Sequence, residues 1–90
     1  KADIYKSDAK KFLLSDRKGY ILPPLSAVDD VSEAMALDIV REREKGEFIS
    51  LEDLKNRTSV NKNAITSLKN LGIIDGIQEE NQISLFDGLF

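Results

Sequence analysis

Neither cysteine nor histidine occurs in this chain of 90 residues. The first absence removes disulfides and thiolate metal sites, and the second removes the side chain most used for proton transfer and metal ligation near neutral pH. A self-contained enzyme is therefore not expected, and no catalytic residue, metal ligand or cofactor is assigned. Asp29-Asp30 and Glu79-Glu80 are the tempting carboxylate pairs, but neighbours in a turn or a tail lack a water-excluding pocket. No apolar run nears the roughly 20 residues of a membrane span, so a membrane partner is not expected either. Positive charge is also scarce: 13 Lys and Arg stand against 16 Asp and Glu, a net charge of −3. A domain that held DNA chiefly by neutralising phosphates would be clearly basic, so any duplex contact should be weak, non-specific and local. The cations that could make one, Lys6, Lys10, Lys11, Arg17, Lys18, Arg41, Arg43 and Lys45, lie in the first half.

What is present suits a small globular domain, with 41% hydrophobic and 32% charged residues. At this length only about 60 per cent of the unfolded surface can be buried. The chain starts at Lys1 without Met, a charged n-region or an apolar h-region, which points to a segment of a longer cytoplasmic protein.

The expected fold is mainly α: an N-terminal segment with a β-hairpin (residues 1–22), a helical domain (23–74) and an extended acidic tail (75–90). Lys11-Phe12-Leu13-Leu14 and Tyr20-Ile21-Leu22 are β-prone runs about a turn-rich loop that ends in Gly19. Pro23-Pro24 stops the second strand and opens a short helical turn, Leu25 to Val28. A longer helix follows from about Glu33 to Lys45, with Met35, Ala36, Ile39, Val40 and Arg43 inward, Glu33, Asp38, Arg41 and Glu42 mostly opposite, and Gly46 ending it. Ser50 and Asp53 form a capping-box-like pair, and Ile49 and Leu54 sit where a hydrophobic staple would close. That helix ends near Arg57-Thr58. The next carries an apolar stripe of Ala64, Ile65, Leu68 and Leu71, stops at Gly72, and is followed by Ile73-Ile74 over the core.

A short helix, a tight turn centred on Val and a longer helix thus occur twice, about Asp30-Val31-Ser32 and Ser59-Val60-Asn61. This is a tandem helix-hairpin-helix pattern. In that motif the turn is usually Gly-hydrophobic-Gly, the aliphatic residue plugging the core while N–H groups of the second helix hold a phosphate without sequence preference. Both glycine pairs are replaced here by residues that cap helices well but crowd a phosphate. Asp30 adds a negative charge, whereas Lys62 follows Asn61 in the second turn. The candidate DNA-binding residues are Val31, Ser32, Ser59, Val60, Asn61 and Lys62.

From Asp75 onward there is no Lys or Arg, yet Gln82-Ile83-Ser84-Leu85-Phe86 places three large apolar residues in this acidic stretch. Leu85 and Phe86 could fill a preformed apolar pocket while the Gln82 amide offers a donor and an acceptor to its rim. The alternative is a terminal strand packed back on the domain. The pentapeptide resembles the motif by which bacterial replication and repair proteins bind the ring-shaped sliding clamp. Leu89-Phe90 repeats the apolar pair, but only Leu85-Phe86 stands at the right distance from a Gln.

The resemblance extends further. Asp3-Ile4-Tyr5-Lys6-Ser7-Asp8-Ala9-Lys10-Lys11-Phe12, Leu22-Pro23-Pro24-Leu25-Ser26-Ala27-Val28, the run from Ile39 to Leu54, and Asn81 to Phe86 together resemble the C-terminal region of the PolC-type α subunit of bacterial DNA polymerase III. The departures are the replaced hairpin glycines and the extension Asp87-Gly88-Leu89-Phe90. The resemblance implies a region that touches duplex DNA and, through Gln82 to Phe86, tethers a replicative polymerase to the sliding clamp. It also implies a parent that adds deoxynucleotides using divalent metal, magnesium, held by carboxylates elsewhere. Two other readings compete: a helix-hairpin-helix domain of a DNA repair or recombination protein, and a purely structural domain packed on other regions of the polymerase.

Overall fold

A computed structural model describes residues 1–14 and 19–79. Its order is β1 (Leu13–Leu14), β2 (Ile21–Leu22), a 3₁₀ turn (Leu25–Ala27), α1 (Glu33–Arg43), α2 (Leu51–Arg57) and α3 (Lys62–Asn70). The mostly helical architecture with an N-terminal hairpin is the one expected. The hairpin is shorter than its β-prone runs, pairing Leu13 with Leu22 and Leu14 with Ile21 in antiparallel register. Phe12, Leu14, Tyr20 and Ile21 remain exposed, so the described core does not cover it.

Each helix begins where a side chain can accept one of its orphaned N–H groups. Ser32 accepts from Met35, Ser50 from Asp53 and Asn61 from Ala64. Gly72 closes α3 with φ +74, and the bonds from Gly72 N–H to the Lys69 carbonyl and from Ile73 N–H to the Leu68 carbonyl form a Schellman end.

The core shows the internal repeat directly. Leu25 and Leu54, and likewise Ile39 and Leu68, stand 29 residues apart (54 − 25 and 68 − 39), and all four are completely buried. The turn residues Val31 and Val60 share that spacing (60 − 31) and are buried as plugs. The N-terminal segment enters the same core through Ala2, Ile4 and Ala9, and Ile73 and Ile74 close it from the other end.

Two packing details differ from the sequence reading. Glu42 was expected opposite the core but is only 9% exposed. It is tolerated because Lys45 Nζ lies 2.9 Å from its carboxylate and Arg41 and Arg57 each stand at 3.6 Å. Ile49 remains exposed, so Phe48 is the buried residue ahead of α2 and the expected staple onto Leu54 does not close. Asp53 Oδ2 accepts from the N–H of Ile49, and Phe48 is drawn inward to stack on Tyr5 at 6.2 Å beneath the Arg57 guanidinium.

Candidate nucleic-acid interface

The two turns place their residues unequally. Val31 and Val60 point inward, while Ser32, Ser59, Asn61 and Lys62 are exposed. Ser32 and Asn61 spend their side chains as N-caps, at 3.1 Å and 2.9 Å from the N–H groups they receive. Asp30 adopts φ +66 at the position where the motif usually has its first glycine. Asp and Asn enter this left-handed region more readily than other side-chain-bearing residues, which explains how the first turn survives without glycine. Among the described non-glycine residues Asp30 alone has positive φ, so the second turn follows a different path. There Thr58 Oγ1 donates to the Leu54 carbonyl and accepts from the N–H of Val60.

Each turn is braced by the helix of the other repeat. Ser67 Oγ in α3 donates to Asp30 Oδ2 at 3.1 Å, and the N–H of Ser59 donates to Asp38 Oδ2 of α1 at 2.9 Å. Asp30 and Ser59 lie 29 residues apart, as do Asp38 and Ser67 (59 − 30 and 67 − 38), so the two braces occupy equivalent positions of the internal repeat, each joining an Asp carboxylate to a Ser of the other repeat. Hydrogen bonds from Ser59, with Arg41 beside them, hold Asp38 below the usual carboxylate range. Asp38 was read as an outward helix residue; only the spacing of the repeat could have pointed to its pairing.

Several candidate cations already have partners. Arg41 bonds Asp38 Oδ1 at 2.5 Å, and Lys45 holds Glu42. Arg43 turns inward and donates to the carbonyls of Ile4 (3.1 Å) and Ser7 (2.7 Å), tying the N-terminal segment to α1. Lys10 approaches Glu33 only to 4.0 Å. Arg17 and Lys18 lie outside the described residues. Among the described residues no group of three or more His, Cys, Asp or Glu could hold a metal ion, and no helix is long and apolar enough to cross a membrane.

Arg57, which no motif or spacing singles out, has the most extensive set of contacts among the described residues. Its guanidinium donates to the carbonyls of Glu42, Gly46 and Glu47, binds Asp53 at 3.1 Å and lies 4.5 Å from the centre of the Phe48 ring.

The chain remains attached to the domain past Gly76. Gln78 accepts from the N–H of Leu51 at 2.8 Å and donates its side-chain amide to the Ile49 carbonyl, and Glu79 pairs with Lys69 at 2.8 Å. Gln82, Ile83, Ser84, Leu85 and Phe86 lie outside the described residues.

A family model described as "Helix-hairpin-helix motif" matches residues 1–83. Curated proteins named "DNA polymerase III PolC-type" are similar over nearly the whole chain. That of Clostridium perfringens is 48% identical over 86 residues, covering 96% of this chain, and that of Caldanaerobacter subterraneus subsp. tengcongensis is 46% identical over 84 residues, covering 93%. The one from Oceanobacillus iheyensis is 42% identical over 86 residues. The chain spans about 6% of the length of each of these relatives. With its two Val-plugged turns and its repeat of paired core residues, the chain belongs to the helix-hairpin-helix family, in the form carried by DNA polymerase III of the PolC type.

Proposed function

We propose that this chain is the C-terminal accessory region of a replicative polymerase and tethers it to the sliding clamp through Gln82, Ile83, Ser84, Leu85 and Phe86. One observation carries the reading: that pentapeptide begins three residues beyond Glu79, and Gln78 and Glu79, the last described residues, are bonded to α2's entry and to α3. A short peptide on a firm base converts a weak contact into a useful one, because DNA held elsewhere in the complex raises its effective concentration. A contact of about 1–10 μM, roughly −7 to −8 kcal/mol, suffices for that purpose.

The turns add weak, non-specific duplex contacts through Ser32, Ser59, Asn61 and Lys62, with Val31 and Val60 shaping them from inside. Weakness is consistent with a net charge of −3 and with cations already paired. The parent acts in the cytoplasm as a DNA polymerase, its magnesium held by carboxylates outside this chain. The shared name of the relatives favours this reading over a repair protein.

The test is to replace Leu85 and Phe86 together by Ala and titrate into a bacterial sliding clamp. The expected loss is at least about 2 kcal/mol, the scale of anchor residues. Affinity unchanged in the double variant would refute the assignment of the anchor.

A further inference from the structure

We propose that Asp38 is a built-in competitor of DNA phosphate at the second hairpin, and that Arg41 is the cation it withholds. The inference rests on the duplex contacts proposed above and explains why they should be weak. The Asp38 carboxylate bridges two donors with separate oxygens: Oδ2 accepts the Ser59 N–H at 2.9 Å and Oδ1 meets the Arg41 guanidinium at 2.5 Å. A main-chain N–H at the mouth of a hairpin and a guanidinium beside it are also the donors that would receive two oxygens of a backbone phosphate. An anion therefore already occupies this set, supplied by the opposite repeat.

The first hairpin offers the internal comparison. Its brace joins Asp30 to the Ser67 hydroxyl, and the position 29 residues beyond Arg41 is Asn70 (41 + 29). There the carboxylate belongs to the turn itself and has no guanidinium at the equivalent place. Only the second hairpin combines an N–H, a nearby Arg and a carboxylate that could step aside. Ser59 is exposed and Lys62 follows three residues later at the start of α3, so a phosphate displacing Asp38 would find additional positive charge.

The experiment is duplex binding by fluorescence anisotropy on the full chain, comparing the unmodified protein, Asp38→Asn, Asp38→Ser, and Asp38→Asn with Arg41→Ala. Glu52→Gln, an exposed acid in the first turn of α2, controls for net charge. Thermal melting by circular dichroism accompanies each variant, and the two neutral replacements at Asp38 guard against loss of fold in one of them. At about 0.05 M salt both should bind at least about fivefold more tightly than the unmodified chain, with a salt dependence steeper by about one unit. Adding Arg41→Ala should erase the gain, while Glu52→Gln should change affinity less than about twofold. If the unmodified chain binds duplex but folded Asp38 variants match Glu52→Gln, the competitor role fails while the duplex contact stands. If none of the proteins binds duplex, the duplex contact itself fails and the inference falls with it.

Discussion

Arg57 shows how one side chain can fix the junction between the two repeats. Its bonds reach the C-terminal end of α1, the connection to α2 and the first turn of α2, and its face covers Phe48. Arg57→Met keeps much of the stem packing but leaves three carbonyls without this donor, so it should cost about 2–3 kcal/mol. Urea unfolding measures it, and an unchanged midpoint would contradict the role. Acid should act on the same region. Asp38, held low by Ser59 and Arg41, and Glu42, held low by Lys45, have folded pKa values below their unfolded ones. Their contribution is therefore complete above the ordinary carboxylate range of about 4 and is lost as pH falls through the depressed folded values. Melting temperature followed downward from pH 6 should fall below about pH 4, and Asp38→Asn should flatten that fall.

At the scale of the elements, the caps and plugs were legible and the surroundings were not. Ser32, Ser50 and Asn61 cap the helices that their residue types announce, and Val31 and Val60 are buried as the spacing requires, because these choices depend on neighbours a few residues away. Burial of Glu42 depends in part on Arg57, and exposure of Ile49 on its neighbour Phe48 turning inward onto Tyr5, which arrives from the start of the chain. The β-prone runs likewise overstated the hairpin, since strand propensity measures packing as much as backbone preference and no described core covers Leu14 or Ile21. Leu14→Ser should accordingly shift stability by under about 0.5 kcal/mol. Gly72 lies at the other extreme: with φ +74, and Lys1 Nζ and Asp75 Oδ2 within 2.8 Å and 3.0 Å of an added Cβ, Gly72→Ala should cost about 1–2 kcal/mol. Equilibrium unfolding of both variants distinguishes these expectations, and equal losses would contradict them.

For the molecule as a whole, the 29-residue repeat builds one core from Leu25, Ile39, Leu54 and Leu68 and locks each turn to the opposite helix. A domain closed in this way, acidic overall and with most of its described cations engaged, suits the proposed roles of a weak grip on DNA and a firm base for a peptide. Leu54→Ala should remove about 2–5 kcal/mol, much of what so small a core supplies, and with it the firm base at Gln78. On the proposed tether, clamp affinity of the peptide should survive that loss better than the rest, because Gln82 to Phe86 follow one another in sequence and would be recognised as an extended peptide.

The most direct test is calorimetric titration of the full chain, intact and lacking residues 82–90, into a purified bacterial sliding clamp. Binding in the range of about 1–10 μM that disappears with the deletion is the predicted result; an intact chain that releases no heat and shows no binding, or a truncated chain that binds equally well, would contradict the tether.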